Sequence, residues 1–366
     1  MKKIAQNYNN CLVNLSNSIL KYYGIQTYHN TLYQLDKYLE NNYKNVIIIL
    51  YDGLGNNLIE KGSFLDQNKI VDITSVFPAT TTAATTSIIT GLTPAEHCWL
   101  GWNNYIKSVN EIVTMYWNVI KDTDIQVANY NVSKNEFPYT TILELINNTK
   151  KAKAYCISPF DGIYYNQNNI DEMYEKIIEL CSLSEKKFIY AYCNEPDNLM
   201  HQLSPKDNEV IKLIKNLDDK TEKLCKKLED TLIIITADHG HITIKGYIVL
   251  EDYPVLKNML FRKTSIEPRA TNFFVKKEMV DKFKEEFNKL FSDDFILFSK
   301  QEVIEQKLFG DGNPHKSFES CLGDYLAVAI SDKAIVDDYS STSFKGMHAG
   351  ITDFEILVPL IVVDKK

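Results

Sequence analysis

Arginine is nearly missing from this chain: Arg262 and Arg269 are the two among 40 basic residues, so planar, bidentate anion clamps are confined to one stretch. Cysteine is present but unpatterned. The seven residues, Cys11, Cys98, Cys156, Cys181, Cys193, Cys225 and Cys321, are odd in number and form no CxxC pair. That argues against a disulfide scaffold or a cysteine zinc knuckle, and for small buried hydrophobes. No apolar run reaches the length of a membrane span, and MKKIAQNYNNCLVNLSNSIL at the N-terminus lacks the unbroken apolar core of a signal peptide. A cytoplasmic protein without membrane contact is expected. Basic stretches are interleaved with acids and Asn, and the net charge of -8 argues against dedicated nucleic-acid binding and for a small substrate. There is no internal repeat and no low-complexity linker.

What is present is ample apolar material. A chain of 366 residues, 45% hydrophobic and 24% charged, can bury a large core. NVIIILYDG (45–53), KAYCIS (153–158), KFIYAYCNEPD (187–197), TLIIITADHG (231–240) and EILVPLIVV (355–363) are apolar runs without alternation, as expected of strands covered on both faces. Helical segments separate them; over 207–228, Val210, Ile214, Leu217, Thr221, Leu224 and Leu228 form one stripe. The alternation predicts an α/β fold, a mostly parallel central sheet with helices on both faces. From 246 to 323 the pattern changes to short strands (TNFFV, FILFS) around a helix at 277–291. The expectation is an inserted α+β cap over 246–323, with 1–245 and 324–366 forming the core; an α+β extension of the sheet is the alternative.

In an open parallel sheet, ligands bind beyond the carboxyl ends of the strands. Three runs end there in Asp or His: Asp52; Asp197 with His201 four residues on; and Asp238 with His239. Any one of these suits a turn or a helix cap. Together on one rim, with His348 in GMHAG just before the last strand, they make a set fit for two metal ions. SVFPATTTAATTSIITG (75–91) crowds threonines at the start of a small-residue helix after Pro78. Either they cap it, or one faces a phosphate that the helix N-terminus holds.

YDG with Asp52, FPATT with Thr81, EPDNLMH with Asp197 and His201, ADHG with Asp238 and His239, and GMHAG with His348 occur in the order and rough spacing of the alkaline phosphatase superfamily. From about Val46 to the C-terminus the chain resembles its type I phosphodiesterase/nucleotide pyrophosphatase branch, particularly the bacterial members. The resemblance implies a hydrolase of phosphodiester or phosphoanhydride bonds with two divalent ions, zinc or alternatively manganese. One would be held by Asp197, His201 and His348, the other by Asp52, Asp238 and His239. It further implies Thr81 as nucleophile, Thr80 and Thr82 being the near alternatives, a phosphothreonine intermediate, and a small phosphorylated substrate such as a nucleotide. Departures from the pattern are visible: Ala84 and Thr85 replace an Asn-His pair, and the phosphate-contacting Asn aligns nearest to Trp102, which selects Asn103 beside it. Trp99 and Trp102 are candidates for stacking on a base, and Arg269 for a cap contact to the phosphate. His97 and His241 are read as structural or supporting residues. A phosphonoacetate hydrolase, cleaving a C–P bond, or a phosphomonoesterase of the same superfamily are the alternatives; a sulfatase is disfavoured because no C/S-x-P-x-R sequence occurs.

Overall fold

The computed structural model describes residues 2–366. Its central sheet has seven strands in the order Lys69–Thr74, Leu357–Lys365, Thr231–Thr236, Asn45–Tyr51, Lys187–Cys193, Lys153–Ser158 and Ile163–Tyr164. Every position of Asn45–Tyr51, Lys187–Cys193 and Thr231–Thr236 is buried. Both faces are therefore covered, the physical reason these strands read as unbroken apolar runs. Neighbours pair in parallel except Leu357–Lys365, which runs antiparallel to both of its partners. The amphipathic segment forms the helix Asn208–Cys225, burying Val210, Ile214, Leu217, Thr221 and Leu224. The α/β architecture expected from the alternation is the one observed. No helix among the described residues is long and apolar enough to cross a membrane.

A second seven-stranded sheet, antiparallel throughout, has the order Phe295–Ser299, Tyr325–Ala329, Ala270–Phe273, Ser265–Glu267, Asn103–Ile106, Glu111–Thr114 and Val119–Ile120. The segment expected as a cap, 246–323, supplies only three of these strands. It also supplies the helix Val280–Phe291, which buries Phe283, Phe287 and Phe291 at successive i, i+4 positions. Boundaries at 246 and 323 thus cut through one hydrogen-bonded sheet. On the side of 103–120 the joint is the pairing of Ile266 with Asn103, a contact between residues far apart in sequence, which local periodicity does not encode; on the other side 270–273 and 295–299 pair with 325–329.

Arg269 does not reach toward a phosphate. It is fully buried, with Nε on Glu355 Oε1 at 2.6 Å, Nη2 on Glu355 Oε2 at 2.9 Å and on Ser331 O at 2.9 Å, and Nη1 on Lys333 O. Glu355 also accepts from Gly350 N at 2.7 Å and Thr352 Oγ1 at 2.6 Å. Four of the five Arg269 donors satisfy oxygens of Glu355, Ser331 and Lys333, so the ion pair fastens the second sheet to the loop that carries His348. Removing one partner strands the other as a buried charge, a loss of about 3–5 kcal/mol. Arg269→Ala should therefore lower the thermal midpoint sharply, while Arg262→Ala, whose guanidinium lies over the Tyr105 ring at 4.0 Å, should shift it little. Equal effects in calorimetric melts would contradict this assignment.

Candidate active site

The strand Asn45–Tyr51 ends in Asp52, whose N–H donates to Cys193 O at 2.9 Å and whose carbonyl accepts from Asp197 N at 3.0 Å. Backbone bonds thereby join two of the rim loops. Gly53 sits at φ +74, and a Cβ there would come within 3.1 Å of the Asp197 backbone; the close approach requires glycine. At Gly240 a Cβ would lie 2.0 Å from Phe354 O, so the turn after Asp238-His239 packs directly on the backbone before the last strand.

Thr81 is the first residue of the helix Thr81–Thr90, which is closed by Gly91 in the left-handed region. The threonine richness has a local explanation: Thr85, Thr86 and Thr90 return their hydroxyls to the carbonyls of Thr81, Thr82 and Thr86 at 2.6–2.7 Å. These three buried hydroxyls are thus satisfied within the helix, whereas that of Thr82 is buried without a partner among the described residues. Thr81 Oγ1 instead points to the rim of the central sheet, lying 3.4 Å from both Asp52 oxygens and 3.2 Å from His239 Nε2.

Two constellations result. In the deep one, His239 Nε2 is 3.3 Å from Asp52 Oδ1 and 3.6 Å from Asp238 Oδ2, and these side chains are at most 3% exposed. In the outer one, His201 Nε2 is 3.3 Å from Asp197 Oδ2 and His348 Nε2 is 3.8 Å from Asp197 Oδ1, with exposures of 10–18%. The His239 and His348 rings stack at 3.7 Å between the two. Potential ligand atoms of Asp197, His201, His241 and His348, and of Asp52, Asp197 and His239, converge within 4.8 Å.

The donor set fits divalent cations on three grounds. Asp238 Oδ2 is buried without any partner, although Oδ1 accepts from the N–H groups of Gly53 and His239 at 3.0 Å each. Separations of 3.2–3.6 Å among Thr81, Asp52, Asp238 and His239 are long for hydrogen bonds. They match the edges of about 3.3 Å of a tetrahedron with metal–ligand bonds of about 2.0 Å. Finally, each histidine gives Nδ1–H to a backbone carbonyl: His201 to Gly346 at 2.8 Å, His239 to Gly240 at 3.0 Å and His348 to Ala79 at 3.1 Å. A carbonyl only accepts, so the three Nε2 lone pairs are turned into the cluster.

His241 differs. Its Nε2 is 2.7 Å from Asp197 Oδ1, a hydrogen-bond distance rather than a ligand–ligand edge, and it orients that carboxylate. Tyr192 OH likewise donates to Asp52 Oδ2. Neither role is evident from the sequence, although the DHGH spacing places two histidines on one turn. His97 is buried, with Nε2 3.0 Å from Ser87 Oγ, and lies outside both constellations.

The stacking candidates separate. Trp99 is 1% exposed, and its indole N–H donates to Phe137 O at 3.1 Å, so no face is left for a base; it belongs to the core beneath the second sheet. Trp102 packs edge-on against Tyr116 and Trp117, which sequence reading overlooked and which are 44% and 64% exposed. Tyr116 OH is 3.3 Å from Thr85 Oγ1, one turn along from Thr81. Tyr116 and Trp117 border an open cavity of about 660 Å³ with Asn118, Gln126 and Tyr130. A larger cavity, about 1090 Å³, meets the constellations only at His241. Asn103 Oδ1 accepts from Thr114 Oγ1 at 2.8 Å, which leaves its amide N–H groups for another partner.

Charge dominates the energetics. Burial, then repulsion from Asp197, pushes the Asp52 carboxyl well above its usual range; burial, then Asp52, does the same to Asp238. Burial opposes charge on His201 as well, but Asp197 more than offsets it and holds His201 up at about 9. In metal-free protein all three groups bind protons more tightly folded than unfolded, so stability falls as pH rises. His241, held down at about 4 mainly by burial, acts in the opposite sense only below its unfolded pKa of about 6.5. Chelator-treated protein should therefore melt at progressively lower temperature between about pH 6.5 and about pH 8. Zinc or manganese should restore stability and flatten that slope; a flat metal-free profile would contradict the charge balance described.

Residues 46–350 match the sequence profile described as type I phosphodiesterase / nucleotide pyrophosphatase. No curated protein matches the chain significantly. Among solved structures it is similar to murine ectonucleotide pyrophosphatase/phosphodiesterase 5, with 17% identity over 86% of this chain and 87% of that one and a TM-score of 0.66. An inactive threonine-to-alanine variant of the murine protein in complex with AMP superposes equally well, at 16% identity, TM-score 0.66 and the same coverage. The human protein does so at 16% identity, 87% coverage of each chain and TM-score 0.66.

Proposed function

Because the chain belongs to the type I phosphodiesterase/nucleotide pyrophosphatase family, hydrolases with the alkaline phosphatase fold, we propose that it cleaves phosphodiester or phosphoanhydride bonds through a covalent intermediate on Thr81. The observation that carries this reading is the place of Thr81 Oγ1, at a helix N-terminus and 3.2–3.4 Å from Asp52 and His239.

Asp52, Asp238 and His239 would hold one divalent ion beside the Thr81 hydroxyl, and Asp197, His201 and His348 a second. Such ions lower the pKa of a hydroxyl or water and offset charge on the apical oxygens of an in-line displacement. The chain supplies the remainder. The first-turn N–H groups after Thr80 have no helical partner and face the phosphate with the positive end of the helix dipole. Thr81 Oγ1 attacks phosphorus, the leaving oxygen departs opposite it, and water cleaves the phosphothreonine. Asn103, through its unused amide, is the candidate neutral contact to the phosphate.

A nucleotide is the proposed substrate class. The AMP complex of the murine relative supports it, as does the aromatic shelf of Trp102, Tyr116 and Trp117 one turn along the Thr81 helix, where a base can stack. The phosphonoacetate alternative gains nothing from the structure, since a small carboxylate needs a cation and no lysine or arginine among the described residues pairs with either constellation.

Thr81→Ala should lower turnover by at least about 10³ while metal content and melting stay near wild type, because it removes the covalent step and keeps the electrostatic frame. Turnover of metal-loaded protein with a nucleotide diester is the measurement; a mild effect, with Thr80→Ala or Thr82→Ala inactive instead, would move the nucleophile.

A further inference from the structure

With Arg269 consumed by Glu355, the residue that the second sheet sends to the Thr81 helix is an anion. Glu267 ends the strand Ser265–Glu267, and its Oε1 accepts from Thr80 Oγ1 at 2.7 Å and from Trp102 N at 2.7 Å. Thr80 immediately precedes Thr81, and by bonding Glu267 it gives up the usual side-chain cap of its helix. Two donors converging on one oxygen are the environment of an ionised carboxylate, and among the described residues no hydrogen bond reaches Oε2. The backbone enforces this aim: Ile266, β-branched and buried, is held at φ +72 and paired with Asn103, a conformation costly for such a residue. Burial raises the Glu267 carboxyl, opposed first by its hydrogen bonds from Thr80 and Trp102 and then by His239 and His201.

The charges around the phosphate position are therefore unusual. No lysine or arginine forms an ion pair with Asp52, Asp197, Asp238 or Glu267 among the described residues. A phosphate monoester carries close to two negative charges at neutral pH and a further unshared oxygen, which calls for an added cation. Here the added group is negative. An internal diester, or the α-phosphoryl group of a nucleotide anhydride, carries one charge at the reacting phosphorus and suffers less repulsion.

We propose that Glu267 is a specificity-determining charge filter, admitting phosphoryl groups of a single negative charge and disfavouring dianionic monoesters, both as substrates and as retained products. The proposal rests on the reading of Thr81 as phosphoryl acceptor and adds to it the residue that selects among phosphate esters. Glu267→Gln removes the charge and keeps an acceptor oxygen for Thr80 and Trp102; Glu267→Ser removes charge and bulk; Thr80→Val breaks one hydrogen bond and keeps the charge.

The test compares kcat/KM for bis(p-nitrophenyl) phosphate and p-nitrophenyl phosphate on metal-loaded protein at about pH 8, where the monoester is dianionic. Calorimetric titration with inorganic phosphate is run beside it. Loss of one like charge near the phosphate is expected to lower the diester-to-monoester ratio on the order of tenfold in both Glu267 variants, and to tighten phosphate binding by about the same factor. Thr80→Val should leave both readouts near wild type. An unchanged ratio and phosphate affinity in Glu267→Gln, or an equal shift in Thr80→Val, would overturn the proposal. If wild-type protein turns over neither ester, the reading of the reaction fails, while the phosphate titration still decides the role of Glu267.

Discussion

Repulsion among three carboxylates at the ends of neighbouring strands is the constraint on which the rest of this structure depends. Asp52, Asp197 and Asp238 are brought together by the sheet, and two of them are almost wholly buried. No lysine or arginine among the described residues pairs with them; His201, held up by Asp197, offsets only part of their charge, while His239 and His348 have committed Nδ1–H to backbone carbonyls and present lone pairs instead. A fold that concentrates negative charge and electron-pair donors at one point, and leaves Asp238 Oδ2 with no partner, is organised for cations.

Much around that point keeps it in shape. Gly53 and Gly240 permit backbones to touch where any side chain would intrude, His241 and Tyr192 orient Asp197 and Asp52, and Arg269–Glu355 pins the loop of His348 to the second sheet. Rigidity at this level matters because electrostatic stabilisation is effective when its groups need not reorganise during the reaction. The aromatic shelf and Glu267 lie outside this frame, on the second sheet, so variation there can alter substrate choice without disturbing the ligands.

The parts that were legible in the sequence are those where local pattern and chemistry coincide. Apolar runs ending in Asp or His marked the central strands and their rim, since a strand buried on both faces has no alternation to hide its polar end. The helix after Pro78 was legible from its small residues. Long-range pairing was not: the strand at 265–267 is only three residues long, so neither its partnership with 103–106 nor the approach of Glu267 to Thr80 leaves a periodic trace. Burial also misled. Trp99 and Arg269 are residue types common at binding sites, but whether such a side chain faces solvent or the core depends on packing between distant segments, which placed both inside.

The account stands or falls on whether Thr81 becomes covalently bonded to phosphorus. Metal-loaded protein mixed with a nucleotide diester, quenched in acid during turnover, digested and analysed by mass spectrometry should yield a nucleotidyl adduct on the peptide containing Thr81, with fragment ions that place it on that residue. Full turnover with no adduct on the peptide, together with inversion at a chiral phosphorothioate centre, would show that water attacks directly and would contradict the account.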